Sequence, residues 1–264
     1  MKSKALLHVS AMFLLLILSG CGVGAKKKMT SDIPAVAITF DYWPDAYNVA
    51  YPIMYSEGVV GTYFVDYRTV DNVTKDNAYN IGLTRYMLTQ MKSSGWTIGA
   101  YSGDNMVDKL KHGRSEANDF LKTIKSEMRS FGFDVLSLAP NQRAWNMQLR
   151  DLSEPLFRRV RAAPEDFSKF QPLPVRDPLF IDAGGSPSLS SSDTAASLES
   201  ELETFLRQSR PGLWSIVIHK VGDAATDPSG MTIDVKQFSM FISYLKRQAD
   251  MGRVQIIGYD DIPS

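Results

Sequence analysis

The sequence predicts an α/β fold, a single (β/α) barrel of about seven units. Three observations carry this expectation. Short runs of apolar and β-branched residues alternate with helical stretches of roughly 10–18 residues, the order of parallel β/α units. Those runs are apolar throughout rather than alternating, as in strands covered on both faces. No Gly-x-Gly-x-x-Gly loop follows the first of them, which argues against an open dinucleotide-binding sheet. A chain of 264 residues is of the size that closes one such barrel.

The first strand is expected at 36–40, where Val36, Ala37, Ile38, Thr39 and Phe40 form a compact β-prone run. A helical stretch over 46–56 stops before Gly58, and 59–65 reads as the second strand. A helix over 83–92 ends before Gly95, followed by a third strand at 96–100. The clearest helix is 115–131: Ala117, Phe120, Leu121, Ile124 and Met128 recur at spacings of three and four, with Ser115 as the expected cap and Gly132 as the left-handed stop. A fourth strand is expected at 135–139. Leu198, Leu202, Phe205 and Leu206 mark another helix, 213–218 a strand, and Asp234 the cap of a helix that runs to Met251. The chain closes with a strand at 254–257. The stretch 164–192, rich in Pro, Ser, Gly and Asp, reads as a long loop with one short strand at 179–181.

Composition narrows the function classes. With 44% hydrophobic and 22% charged residues the chain has the means to build a core and is not a disordered polymer. Its 29 basic and 29 acidic side chains give no electrostatic footprint for nucleic acid. One cysteine excludes a disulfide framework and paired-cysteine zinc sites, and three histidines make a multi-histidine metal site hard to assemble.

The N-terminus has a targeting pattern. Lys2 and Lys4 precede an apolar run over 5–18, then Ser19, Gly20 and Cys21. A basic start, an apolar stretch of about 7–15 residues and small residues before the cut describe a secretory signal, and the run is too short to span a bilayer. Leu18-Ser19-Gly20-Cys21 further resembles a bacterial lipoprotein signal, so Cys21 is expected to carry the lipid anchor, with 1–20 removed. This division gives a signal peptide at 1–20, an acylated cysteine and tether at 21–33, and the barrel at 34–264. The expected location is the bacterial cell envelope, membrane-anchored on the periplasmic or outer-surface face. Removal of 1–20 leaves 27 basic against 29 acidic groups. The tether lysines 26, 27 and 28 add at most about 1 kcal/mol each of attraction to anionic lipid.

In a parallel barrel the functional groups gather where strands end. Those ends supply Asp41, Tyr42, Trp43 and Asp45 after the first strand, and Tyr101, Ser102, Asp104 and Asn105 after the third. The fourth supplies Pro140, Asn141 and Gln142, and the strand at 213–218 delivers His219. A carboxylate and a histidine on one face suit base and acid roles.

These residues carry a resemblance. Ala37-Ile38-Thr39-Phe40-Asp41, Gly61-Thr62-Tyr63-Phe64-Val65, Gly95-Trp96-Thr97-Ile98-Gly99-Ala100-Tyr101-Ser102, Ser137-Leu138-Ala139 with Ala144-Trp145-Asn146, and Ile216-Val217-Ile218-His219 together resemble the polysaccharide deacetylase family (NodB homology, carbohydrate esterase family four). The resemblance runs from about Pro34 to Ile262. It implies Asp41 as catalytic base, His219 as general acid and a backbone amide near Gln142 as oxyanion donor. The family's metal-binding aspartate is Tyr42 here, and its two metal-binding histidines are Tyr101 and Asn105. All three implied ligands are replaced, so no metal is expected, and a zinc-like divalent ion would be needed only at a rebuilt site.

The loss is large in energy. A bound zinc lowers the pKa of water from about 15.7 to about 7. Set against a carboxylate near 3.9, proton abstraction then faces roughly 4 kcal/mol with metal and roughly 16 kcal/mol without it. Hydrolysis is accordingly expected to be weak or lost, with Tyr42, Trp43, Tyr101, Ser102, Asn105 and Trp145 as candidate glycan-binding residues, since aromatic faces suit the apolar side of a pyranose. Three alternatives stand beside that reading. One is an active N- or O-deacetylase using Asp41 and His219 with a site rebuilt from Asp41, Asp45, Asp104 and His219. Another is a glycoside hydrolase pairing Asp41 with Asp104 or Asp182. The last is a purely structural envelope lipoprotein.

Overall fold

The computed structural model describes residues 29–72, 82–162, 170–182 and 189–264. The signal segment and Cys21 lie outside the described residues, as does much of the stretch 164–192. Eleven strands and seven α-helices follow one another among the described residues. Strand β1 (Ala35–Asp41) leads through a wide π-turn (Ala46–Ala50) into α1 (Tyr51–Ser56), then β2 (Thr62–Val65), α2 (Arg85–Ser93) and β3 (Thr97–Tyr101). Helices α3 (Met106–His112) and α4 (Arg114–Ser130) come next, then β4 (Ser137–Ala139), α5 (Met147–Ser153) and β5 (Arg159–Ala162). The chain continues through β6 (Gln171–Pro172), β7 (Ile181–Asp182), α6 (Ala195–Leu206) and β8 (Gly212–Ile218). A small ribbon, β9 (Lys220–Gly222) with β10 (Thr232–Asp234), precedes α7 (Val235–Asp250) and β11 (Gln255–Ile256).

The main sheet runs β6-β8-β1-β2-β3-β4-β5-β7, with β11 pairing the start of β1. Every pairing is parallel except β6 with β8. It curls into a nearly closed barrel, the fold class the sequence predicts. Side-chain alternation along each strand sorts residues into two cores. Val36, Ile38 and Phe40 of β1 point outward and join Leu88, Leu121, Ile124, Phe238 and Ile242 from the helices. Ala35 and Ala37 point inward with Phe64, Tyr101, Ala139, Leu213 and Tyr259. The interior is tight. A Cβ on Gly99 would sit 2.6 Å from the Phe64 ring and 2.7 Å from Ser137 Oγ, so β3 passes this level only as glycine. At the floor, Tyr259 donates its backbone N–H to Thr62 Oγ1 at 2.8 Å and meets Phe64 edge-on at 5.5 Å. Arg159 Nη2 holds the Ile262 carbonyl at 2.6 Å.

Several local expectations are corrected. The 46–56 stretch divides because Pro52, near the start of α1, has no N–H to continue the preceding turn. Ser115 does not cap α4: the helix starts at Arg114 directly after Gly113 (φ 139°), and the Ser115 hydroxyl instead bonds Asp119. Helix α5 and strands β5, β6, β9 and β10 were not foreseen. Asp234 does cap α7, accepting from the N–H groups of Lys236 and Gln237 at 2.9 and 3.1 Å, and Gly132 takes its left-handed turn (φ 93°).

Candidate active site

The inward positions nearest the strand C-termini are Thr39 and Asp41 on β1, Arg161 on β5 and, by parity beyond Leu213, Ser215 and Val217, His219 after β8. They meet at the barrel mouth. The Asp41 side chain is 5% exposed and both its oxygens lie on one guanidinium nitrogen: Arg161 Nη2 is 2.6 Å from Oδ1 and 2.7 Å from Oδ2. Arg161, itself 4% exposed, also donates from Nη1 to Thr39 Oγ1 at 2.8 Å, and its guanidinium carbon lies 4.8 Å from the centre of the Phe64 ring. Thr39 passes its own proton to the Ile216 carbonyl at 2.8 Å. His219 Nε2 is 3.9 Å from Asp41 Oδ2, beyond hydrogen-bond length, with the imidazole partly exposed in the same hollow. That hollow measures about 280 Å³, and Tyr42, Tyr101, Asn141 and Gln142 form its other walls.

Tyr42 reaches the mouth through a left-handed backbone turn (φ 34°), which swings its ring off the strand path. The ring packs against Tyr101 at 4.8 Å and Trp43 at 5.3 Å between centroids. Burial, then the charge of Asp41, pushes both phenols up, Tyr101 strongly, so both stay protonated at neutral pH. The Tyr101 hydroxyl donates to Asn141 Oδ1 at 2.7 Å, and Asn141 Nδ2 donates to the Gly103 carbonyl at 2.6 Å. Asn105 spends its Oδ1 capping α3 (3.0 Å to the Val107 N–H) and its Nδ2 on Gln142 Oε1 at 3.1 Å. Gln142 is the other strained residue at the mouth, with φ 54°.

A divalent metal does not fit this arrangement. The three positions that the family resemblance assigns to its ligands hold two protonated phenols, tilted against each other in contact, and an amide whose oxygen caps a helix. The fourth group, Asp41, faces a guanidinium. A site rebuilt from Asp41, Asp45, Asp104 and His219 is not assembled either. Asp104 is drawn off to Arg68 at 2.8 Å and Lys109 at 3.2 Å, and among the described residues no three His, Cys, Asp or Glu side chains converge. Neither Asp104 nor Asp182, the partners considered for Asp41 in glycoside hydrolysis, lines the hollow. Asp104 sits in ion pairs, Asp182 is buried away from the hollow's walls, and the near neighbour of Asp41 is a cation.

Two candidate glycan-binding residues are core residues instead. Ser102 is fully buried, donating to the Asp104 carbonyl at 2.7 Å and accepting from the Asn141 N–H at 2.8 Å. Trp145 lies in the outer core, its indole N–H donating to the Leu179 carbonyl at 3.0 Å. Trp43 stands just outside the hollow, in an adjoining groove with Asp45, Asp223 and Asp227, and Lys220 Nζ lies 4.4 Å from its ring centre. Burial raises the Asp45 carboxyl above its usual range. Arg161 is the residue sequence reasoning missed. The signal available was Val160 and Ala162 at a spacing of two, which reads as a strand only if its intervening arginine is allowed to point inward.

The lip over Trp43 carries a pH prediction. Asp227 accepts from the Ser229 hydroxyl and the Thr232 hydroxyl, each at 2.6 Å, and these bonds hold its carboxyl well below the ordinary 3.8. A depressed folded value stabilises at pH above the unfolded one and is lost as acid titrates the group. The β9–β10 ribbon is therefore expected to stay closed at neutral pH and to loosen only below about pH 4. The Trp43 share of the fluorescence, taken as the difference from Trp43→Phe and followed through an acid titration, checks this, and Asp227→Asn should show the loosened signal already at neutral pH.

By sequence, no family model and no curated protein matches the chain. By structure, the chain has the barrel fold seen in solved polysaccharide deacetylases and family 4 carbohydrate esterases. It is similar to a candidate polysaccharide deacetylase from Mycobacterium smegmatis at 15% identity and a TM-score of 0.56, over 88% of this chain and 90% of that one. The family 4 esterase domain of a multidomain xylanase from the hindgut metagenome of Trinervitermes trinervoides is 14% identical with a TM-score of 0.51, over 87% and 89% of the two chains. A family 4 carbohydrate esterase from Streptomyces lividans, in complex with acetate, is 10% identical with a TM-score of 0.50, over 84% and 91%.

Proposed function

We propose that this chain is an envelope lipoprotein, tethered at Cys21, that binds acetylated polysaccharide at the barrel mouth and has weak or no hydrolytic activity. The observation that supports this best is the Asp41–Arg161 pair beside the packed rings of Tyr42 and Tyr101. The buried guanidinium of Arg161 faces both Asp41 oxygens, the atoms a catalytic base would turn towards water. No metal-ligand group is present among the described residues, so attacking water would have to be activated without the lowering of its pKa that a bound metal supplies. What is left is a shallow polar hollow with an aromatic wall, suited to a sugar ring and one substituent.

The test uses the protein beginning at residue 22, assayed for acetate release and for saturable binding on acetylated glycans. No acetate is expected, including with added zinc, cobalt or nickel. Tyr42→Ala is expected to weaken binding about two- to tenfold, the worth of one aromatic contact. A stoichiometric divalent metal, together with acetate release lost in Asp41→Asn, would overturn the reading. That outcome would support a second one, an active deacetylase, which the closeness of His219 and Asp41 in one hollow favours.

A further inference from the structure

The described chain begins at the end of the barrel opposite the hollow. Met29 packs on the inner core at the floor. Gln255, at the start of β11, fastens the entering segment: its Nε2 donates to the Thr30 carbonyl at 2.5 Å and the Ile33 carbonyl at 2.9 Å. Its backbone N–H donates to the Pro34 carbonyl at 2.9 Å. From Ala35 the strand then climbs to Asp41, about 20 Å at 3.3 Å per residue. Between Met29 and Cys21 lie seven residues, 22–28, so the eight steps from Cys21 to Met29 reach at most about 29 Å. The floor is also where α7 ends, and Met251, 61% exposed, stands there beside Gly252 and Val254.

We infer that the protein stands on its bilayer floor-first, with the membrane surface against the end of the barrel that bears Met29 and Met251 and the Asp41 hollow pointing away. The inference rests on the lipid-anchor part of the proposed function. The tether decides the orientation. Laying the mouth on the bilayer would require 22–28 to run back along nearly the full barrel height, taking up most of that reach, which forfeits much of their conformational freedom. Standing on the floor requires no such run. The hollow is thereby presented to a glycan strand out in the envelope and not to a sugar linked to lipid in the same membrane.

The full-length lipidated protein tests this, because Cys21 is the single cysteine of the chain and its sulfur is blocked once acylated. Met251→Cys at the floor and Met231→Cys at the mouth, both at exposed positions, are labelled with a thiol-reactive fluorophore. Each is reconstituted in vesicles containing a headgroup-quenching lipid. The floor label is expected to be quenched several-fold more than the mouth label. Equal quenching, quenching of neither label, or stronger quenching at the mouth overturns the inference. So does dye uptake by the unsubstituted protein, which would mean a free Cys21 thiol. Glycan binding by the form starting at residue 22 does not depend on any of these outcomes, so the two readings fail separately.

Discussion

Arg161→Met is expected to lower the stability of the barrel by about 3–5 kcal/mol, because it leaves the buried Asp41 carboxyl without its cation. For a domain of this size that is a fall in melting temperature of roughly 6–20 °C. The loss should be read against Asp41→Asn and against the double variant. Removing both charges takes away the desolvation cost along with the attraction, so Asp41→Asn/Arg161→Met should recover much of what the single arginine variant loses. Urea unfolding of the four proteins gives the coupling directly. A double variant no more stable than Arg161→Met would mean that the guanidinium acts through Phe64 and Thr39 and not through Asp41. The same series bears on function: if Asp41 is an ion-pair partner first, Asp41→Asn should move stability while leaving glycan affinity nearly unchanged.

The second large effect is expected at Trp145. Truncation to alanine should cost about 3–5 kcal/mol, as for other large aromatic residues removed from a packed core. Binding measured on the folded protein should not change. Trp145→Phe keeps one six-membered ring and loses the five-membered ring with its bond to the Leu179 carbonyl, so its cost should be smaller, about 1–3 kcal/mol, from the acceptor left unpaired and the small void. A variant that stayed stable but lost glycan binding would return Trp145 to the groove. Chemical denaturation and a binding isotherm on the same preparation separate the two.

The barrel was legible because its strands are buried on both faces. Residues 36–40, 96–100 and 213–218 are continuous apolar runs that fit few other structures, and Gly58, Gly95 and Gly132 punctuate the helices between them. What escaped was short or polar. Strand β5 has four residues, two of them arginines, and charge on a strand ordinarily signals solvent; here a narrow interior lined by alanine, glycine and serine leaves room for one guanidinium. Asp41 and His219 could be named from strand-end logic and they do share a hollow. The partner of Asp41 could not be named, since that contact spans 120 positions of sequence. Trp145 and Ser102 were misjudged for a related reason. An aromatic or a hydroxyl just past a strand end looks available in sequence, and only packing decides that Leu179 and Asn141 use them up.

The tight inner level at Gly99 sets the scale of what this protein can distinguish. With Phe64, Tyr101, Arg161 and Tyr259 filling the barrel, nothing the size of a sugar can descend into it. A polysaccharide bound there, as proposed, would lie across the mouth with only a side group entering. Selectivity should therefore follow the decoration of a polymer more than its backbone. Chains that differ in linkage but carry the same small substituent would be taken alike, and stripping that substituent from one favoured chain would abolish its advantage.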